Sequence, residues 1–176
     1  NRPPRSNLFG GGGGANFLRE FYMLKSVTLE NFFAFQERTT IELNPGVNLL
    51  LGINGSGKTA FINALRLLSE GIVGDGLNKL INVTWGGFDN IVNANNGENR
   101  KDFFKLQFVF SAEMVKRRIQ NSRFETDLKY EIVIHSKGMQ DYSVEETLEK
   151  NKKKQAQKPF SYLINSDFLS SDIKEY

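Results

Sequence analysis

The chain has 176 residues, of which 39% are hydrophobic and 12% aromatic, enough for one domain with a buried core. A net charge of only +3 gives no basic field of the kind that indicates a nucleic-acid-binding protein. The absence of cysteine excludes disulfides, thiol catalysis and cysteine-based zinc sites and favours a cytoplasmic protein, while no apolar run approaches the roughly 20 residues of a membrane span.

Residues 1–22 differ in composition from the rest of the chain. Two prolines fall within Asn1–Arg5 and five consecutive glycines occupy Gly10–Gly14, which is typical of a flexible segment. Met23 lies where an ordinary start would fall. We therefore interpret residues 1–22 as a flexible leader of vector or misread upstream origin, with a short disordered tail as the alternative, and residues 23–176 as the domain.

Two strands and a turn are predicted next. Apolar residues within 27–35 indicate a first strand and its end, and residues 39–43 alternate between apolar and polar side chains as a second strand does. Pro45-Gly46 predicts a turn. The apolar run Val47–Leu51 then predicts a buried central strand.

The strongest motif is Gly52–Thr59, which reads G-x-x-x-x-G-K-[ST], the P-loop or Walker A pattern. Small residues let the backbone wrap a polyphosphate with successive N–H groups pointing inward. Lys58 is the predicted catalytic residue, because its ammonium reaches the β- and γ-phosphates, and Thr59 is the predicted Mg²⁺ ligand. The predicted ATP-binding residues are Gly52, Asn54, Gly55, Ser56, Gly57, Lys58, Thr59 and Ala60.

A helix is predicted from Lys58 onward, because apolar residues between Ala60 and Leu68 recur at i, i+3 and i+4. Gly71 follows the last of them and is interpreted as a C′ stop. The helix N-terminus thus meets the glycine-rich loop, where the helix dipole and free N–H groups favour an anion. Strand, loop, Lys-Thr pair and helix together favour a nucleotide site over a glycine-rich turn before an ordinary helix.

Four more strands are predicted after a Gly- and Asn-rich region at residues 71–100. Apolar and polar residues alternate in Phe104–Phe110, Leu128–His135, Tyr142–Leu148 and Phe160–Ile164. Such alternation indicates an antiparallel sheet with one wet face. The predicted fold class is therefore α/β: a P-loop NTPase lobe in which a mixed, largely antiparallel sheet packs around the Walker A helix.

A P-loop ATPase also needs an acidic residue after an apolar strand, the Walker B aspartate, and this chain has no clear one. None of its aspartates follows four aliphatic residues: Asp75, Asp89, Asp102, Asp127, Asp141, Asp167 and Asp172. Asp167 comes nearest, but Asn165 and Ser166 interrupt the run before it. We interpret the chain as a truncated piece of a longer ATPase, with a nucleotide binder that never hydrolyses as the alternative.

Other features favour ordinary structural roles. Lys116–Arg118 with Arg123 could contact DNA phosphates, but a solvated helix face or loop is favoured. A solvated loop is favoured for Lys150–Lys158. Trp85 could line a nucleotide site, although packing in the core or a turn is favoured. His135, on an outward strand face, is expected to be exposed.

The segments Met23–Phe35 and Ile41–Thr59 resemble the N-terminal start of the RecF/SMC-like branch of ABC-type ATPases, with Asn-Gly-Ser-Gly-Lys as the most specific part. Gly86-Gly87-Phe88 and the strands up to Glu146 look like the N-terminal lobe of bacterial RecF-like AAA family ATPases. The resemblance implies the first lobe of a two-lobed head, whose second lobe would carry the signature, Walker B and the catalytic acid. It also implies a second head, as in a homodimer, that shares the ATP, and a role of the full-length protein in DNA repair, DNA maintenance or phage defence.

Two departures from this family are visible. The family often has a basic residue after the Asn-Phe pair, near the nucleotide, but here Asn31-Phe32 is followed by Phe33. A buried Phe33 is favoured, and contact of its ring with the base is the alternative. The family's Mg²⁺-ligating glutamine has no clear counterpart, because Gln107 lies within a predicted strand and Gln120 in a basic stretch.

The sequence therefore predicts a lobe that binds ATP and Mg²⁺, hydrolyses ATP as part of a longer chain, and is inactive or nearly so alone. DNA is expected as a partner only through the full-length protein, and no membrane partner is expected. A P-loop kinase or phosphotransferase is one alternative, disfavoured because the hairpin Leu24–Leu43 precedes the predicted Walker strand. A non-hydrolysing lobe that senses nucleotide is the other.

Overall fold

The structure is a computed structural model that describes residues 23–72, 76–92, 101–118, 126–138, 141–150 and 160–164. Several predictions fall outside the described residues: the leader 1–22, Asp75, Gln120, Arg123, Lys150–Lys158 beyond its first residue, Asp167 and Asp172.

The described part contains one sheet and a few short helices. The strands are β1 (Leu24–Glu30), β2 (Thr39–Glu42), β3 (Phe103–Phe110), β4 (Leu128–Gly138), β5 (Asp141–Lys150) and β6 (Phe160–Ile164). The helices are α1 (Lys58–Arg66), α2 (Gly76–Asn78) and α3 (Ala112–Arg118), with π-helical turns at Leu67–Gly71 and Lys79–Thr84 and a 3₁₀ turn at Phe88–Asn90. Within this part of the chain, no helix has the length and apolar character needed to cross a bilayer.

The sheet has the strand order β2-β1-β3-β4-β5-β6, and every neighbouring pair is antiparallel. Side chains alternate between its faces, as the two-residue period of a strand requires, so that Leu106 is buried while Lys105 lies opposite. On the wet face, Lys105 Nζ lies 3.6 Å from a Glu131 carboxylate oxygen. The predicted antiparallel sheet with one solvated face is confirmed.

The inner face of the sheet and one face of α1 share a single hydrophobic core. Ala60, Phe61, Ala64 and Leu67 are buried in this core. The predicted amphipathic helix is therefore confirmed. Its apolar stripe fixes the orientation of α1, and with it the position of the loop that precedes the helix.

Gly71 does not act as the predicted left-handed C′ stop. It is the last residue of the π-helical turn that continues α1, and its φ is not positive. A Cβ at this position would lie 3.2 Å from Leu80 Cδ1. The glycine therefore allows a close approach between two helical turns, a contact that the local pattern could not indicate.

The prediction of a buried central strand at Val47–Leu51 is wrong for this chain. These residues form no strand in the structure, and the exposed fractions of Val47, Leu49 and Leu51 are 92%, 77% and 81%. A central strand needs a neighbour along each edge and cover on both faces. The described residues supply neither, so an apolar segment lies in solvent directly before the P-loop.

The connection from β1 to β2 begins with a tight turn at Asn31–Phe35, rather than continuing the strand. Phe32 and Phe35 exchange two backbone hydrogen bonds of 2.9 Å. Asn31 and Phe33 have φ values of 51° and 48°, in the left-handed region that asparagine tolerates and phenylalanine rarely adopts. The fully buried Asn31 side chain donates to the carbonyl of Phe103 and so ties the turn to β3.

Candidate functional site

Two glycines shape the loop that connects the exposed segment Val47–Leu51 to α1. Gly55 and Gly57 have φ values of 86° and 94°, where a side chain is strained. Gly57 is the N-cap of α1, and its carbonyl accepts the N–H of Phe61 at 2.9 Å. The N–H groups of Lys58, Thr59 and Ala60 therefore precede the first intrahelical hydrogen bond and are directed out of the helix end.

Phe35 supports this loop from the β1–β2 connection. A Cβ on Gly57 would lie only 2.7 Å from Phe35 Cζ and 2.9 Å from Cε2. The ring therefore packs directly against the backbone of the loop. Sequence reasoning missed this contact, because nothing in the local pattern indicates that the turn and the loop meet.

The Lys58 ammonium lies inside the loop. Its Nζ donates to the carbonyls of Gly52 and Ile53, both at 2.7 Å, and lies 3.4 Å from Ser56 Oγ. A Cβ on Gly52 would lie 2.5 Å from that same Oγ. Gly52 and Ser56 thus lie close together where the loop begins and ends. The Lys58 ammonium places a positive charge between them.

A pocket of about 270 Å³ opens beside the loop. Six of the residues predicted to bind ATP line it: Asn54, Gly55, Gly57, Lys58, Thr59 and Ala60. Phe33 and Ala34, from the β1–β2 connection, and Asn63, from α1, complete the lining. Gly52 and Ser56 contact Lys58 but do not line the pocket, whereas Ala34 and Asn63 were missed by the sequence reasoning.

The chemistry of this pocket suits a polyphosphate. It combines an ammonium group with free N–H groups at the N-terminus of a helix, and both favour negative charge. No carboxylate is among the residues that line it. The site therefore fits the phosphates of a nucleotide and carries no acidic group of its own.

A divalent cation fits the same site through Thr59. Thr59 is exposed and lines the pocket, and Mg²⁺ commonly takes one or two protein oxygens together with phosphates and water. In the ranges that the structure describes, no group of three or more acidic or histidine side chains is placed to hold a metal. An ion here would thus depend on Thr59 and on the oxygens of the ligand.

The other sequence candidates do not line this pocket. Trp85 packs against Phe33, with ring centroids 5.6 Å apart, but does not line the pocket. Arg117, exposed on α3, pairs with Glu113 at 3.1 Å. His135 keeps 33% of its side chain exposed and lies 3.7 Å from a Glu145 carboxylate oxygen on the wet face of the sheet.

Gln107 and Asp127 have structural partners. Gln107 accepts a hydrogen bond from Arg38 at 2.9 Å across the wet face, so it does not reach the loop. Asp127 accepts the N–H of Ala112 at 2.9 Å and also contacts Lys25 Nζ. Asp127 therefore secures the start of α3 and is not a Walker B residue.

Most of the chain matches one family of known proteins. A family model described as AAA domain matches residues 26–176. Chromosome partition proteins Smc from Mycolicibacterium paratuberculosis and from Mycobacterium leprae are each 45% identical to the chain over 42 residues. That segment is 24% of this chain and spans 4% of each relative.

The chain is also similar to a solved structure from a study of ATP-driven dimerization and DNA-stimulated activation of SMC ATPases. The TM-score is 0.51 at 16% sequence identity, and the likeness covers 71% of this chain and 69% of the other. At this identity, the likeness concerns the fold.

Proposed function

Because the chain belongs to the AAA domain family and has the fold of an SMC ATPase head lobe, we propose that it binds ATP with Mg²⁺ and supplies the Walker A half of an ATP-hydrolysing site. The resemblance to the RecF/SMC-like branch is confirmed by this family and this fold. One observation carries the proposal: the Lys58 ammonium and the N-terminus of α1 converge on a pocket that has no carboxylate.

The residues of the loop have distinct roles in this proposal. The N–H groups from Asn54 to Ala60 hold the phosphates, and Lys58 neutralises the β- and γ-phosphates once its ammonium turns from the loop carbonyls to the ligand. The Thr59 hydroxyl ligates the magnesium ion. A bound ion would be held by Thr59 and would offset the negative charge that develops on the phosphates.

The exposed segment Val47–Leu51 supports the proposal that a further lobe completes the head. Contiguous exposed apolar surface is typical of an interaction site. We propose that strands from another part of the full-length protein pair with this segment. That lobe would bring the acidic residues that the pocket lacks.

For the full-length protein we propose a role in DNA maintenance that involves two heads. The curated relatives are chromosome partition proteins, and the similar structure comes from a study of ATP-driven dimerization. The first supports a role in DNA maintenance, and the second supports a homodimer of heads with ATP between them. DNA repair and phage defence are the alternative roles in this proposal.

The 176-residue chain alone should bind ATP but turn it over far more slowly than the roughly 1–10³ s⁻¹ of ordinary enzymes. The physical reason is that no carboxylate lines the pocket to orient or activate water. Phosphate release by the purified chain measures this, with Lys58→Ala as the control for contaminating ATPases. Brisk turnover that disappears in Lys58→Ala would contradict it.

The same assay separates the alternatives. A kinase or phosphotransferase would release ADP only when a phosphoacceptor is added. A non-hydrolysing sensor would bind ATP without turnover even in the full-length protein.

The exposed segment gives a second test, through Leu51→Ala. In the 176-residue chain, where Leu51 is 81% exposed, we expect a change in the free energy of unfolding of no more than about 0.5 kcal/mol. In the full-length protein, burial in a central strand would raise this cost to about 2–5 kcal/mol. Urea unfolding of both proteins measures the difference.

The matched control is Leu106→Ala, at a fully buried position of β3. It should cost about 2–5 kcal/mol in both proteins. A neutral Leu51→Ala in the full-length protein would contradict the proposal that a second lobe covers this segment.

A further inference from the structure

Few of the side chains that line the pocket can accept a hydrogen bond. Besides the hydroxyl of Thr59, only the amides of Asn54 and Asn63 offer a side-chain oxygen, because Lys58 carries donors alone and the remaining lining residues are glycine, alanine and phenylalanine. Phosphate oxygens accept hydrogen bonds, and the N–H groups and the ammonium of the loop supply the donors for them. The two amide oxygens are therefore suited to a ligand group that donates.

Asn63 lies on α1 one helical turn after Thr59. Residues four positions apart share one face of a helix, about 6 Å apart along its axis, and their Cα–Cβ bonds tilt toward the helix N-terminus. Both residues line the pocket, as this spacing requires. Asn63 is therefore the residue directly behind the predicted Mg²⁺ ligand on the same face of the helix.

The helix itself gives no reason for an asparagine at position 63. Asparagine is a weaker helix former than alanine, because its amide competes for hydrogen bonds with the backbone. The amides of Asn31, Asn48 and Asn90 each donate to a backbone carbonyl. Among the residues that the structure describes, the half-buried Asn63 side chain has no hydrogen-bond partner. A bound ligand would give its amide the partner that these residues do not supply.

A magnesium ion held by Thr59 would bring hydrogen-bond donors to this face of α1. Mg²⁺ prefers octahedral coordination and usually keeps several waters beside one or two protein oxygens and the phosphates. The ion polarises these waters and makes them stronger donors. No carboxylate lines the pocket to accept from them, and Asn54 belongs to the loop rather than to α1. The amide oxygen of Asn63 is the acceptor that the helix itself provides.

We propose that Asn63 is a positioning residue for the magnesium ion, because its side-chain oxygen accepts a hydrogen bond from a water bound to that ion. The inference rests on the proposed function, and within it on Thr59 as the ligand of the ion. Hydrogen-bond partners of metal-bound groups fix the orientation of those groups and raise the affinity for the metal. Asn63 would thus be a second residue of α1 that serves the metal site.

The test measures ATP affinity by calorimetry, once with saturating magnesium and once in EDTA. In magnesium, Asn63→Ala should weaken ATP binding by the 10- to 100-fold that is roughly usual when a metal ligand loses its hydrogen-bond partner. In EDTA, the affinity should change by less than about twofold, because the loop still holds the phosphates. Alanine favours the helix more than asparagine does, so the variant should fold, which a thermal melt checks.

Two further variants separate an accepting role from a donating one. Asn63→Asp keeps a side-chain oxygen and loses both N–H donors, so the gain in ATP affinity on adding magnesium should be at least as large as in the unchanged chain. Asn63→Leu keeps a similar volume without an acceptor and should lose this gain as Asn63→Ala does. Asn78→Ala is the matched control, because Asn78 is an exposed asparagine on α2 that does not line the pocket. Both affinities should be unchanged in it.

The outcomes separate this inference from the proposed function. If the chain does not bind ATP, or if Thr59→Ala leaves the gain from magnesium unchanged, the proposed function fails and the inference fails with it. If the gain depends on Thr59 but not on Asn63, or if Asn63→Asp loses it, only the inference is overturned. An equal loss in magnesium and in EDTA for Asn63→Ala also overturns it, because Asn63 would then contact the nucleotide itself.

Discussion

Replacing Lys58 with alanine is expected to weaken ATP binding by about 10- to 100-fold or more, which corresponds to the roughly 1.5–3 kcal/mol of a hydrogen bond to a charged group. The Lys58 ammonium is held at the centre of the loop by two carbonyls at 2.7 Å. Without it, the phosphates would keep the N–H groups of the loop but lose their main neutralising charge. Calorimetric titration with ATP at constant ionic strength measures the change.

Lys79→Ala is the matched control for this experiment. Lys79 is an exposed lysine on the π-helical turn after α2, so its removal changes the net charge by the same amount without touching the pocket. We expect ATP affinity to be unchanged in this variant. Equal affinities of the Lys58 and Lys79 variants would argue that the loop does not hold the phosphates.

Gly57→Ala is expected to destabilise the fold more than Gly55→Ala. Both glycines have left-handed backbones, with φ values of 94° and 86°, so an alanine at either position costs roughly 1–3 kcal/mol in strain. Only at Gly57 would the new Cβ meet a ring, at 2.7 Å from Phe35 Cζ, whereas nothing lies within 4 Å at Gly55. Overpacking adds about 1–3 kcal/mol to the cost at Gly57.

Urea unfolding without nucleotide measures these costs apart from ligand binding. Phe35→Ala combined with Gly57→Ala removes the clash, so the coupling free energy in the double-mutant cycle should be favourable by about 1–3 kcal/mol. If Gly57→Ala were no worse than Gly55→Ala, or if the cycle showed no coupling, Phe35 would not be the support of the loop.

Much of this architecture was predictable because its signals are local. The alternation in Phe103–Phe110 depends only on the two-residue period of a strand, and the stripe on Lys58–Arg66 only on the helical period. The glycines at 55 and 57 supply backbone conformations that the motif requires wherever it occurs. The strands, the helix and the glycine conformations are therefore expected in any fold that buries the same faces of these elements.

The errors and omissions concern contacts between distant segments. Val47–Leu51 has the composition of a central strand, but the burial of a strand depends on its neighbours, and the described residues provide none. Gly71 looked like a helix stop and is instead a point of close approach to Leu80. Local sequence does not contain the information on which segment lies beside which.

The P-loop and its surroundings show the same difference between local signals and contacts of distant segments. Residues 52–60 predict a phosphate site from their own spacing, because one short loop supplies the lysine, the hydroxyl and the N–H groups. The tight turn at Asn31–Phe35 becomes part of that site only through folding, which sets Phe35 against Gly57 and Phe33 on the wall of the pocket. Functional groups that one loop supplies can be predicted from its sequence. The residues that surround the loop come from distant segments, which meet only because the sheet and α1 pack against a common core.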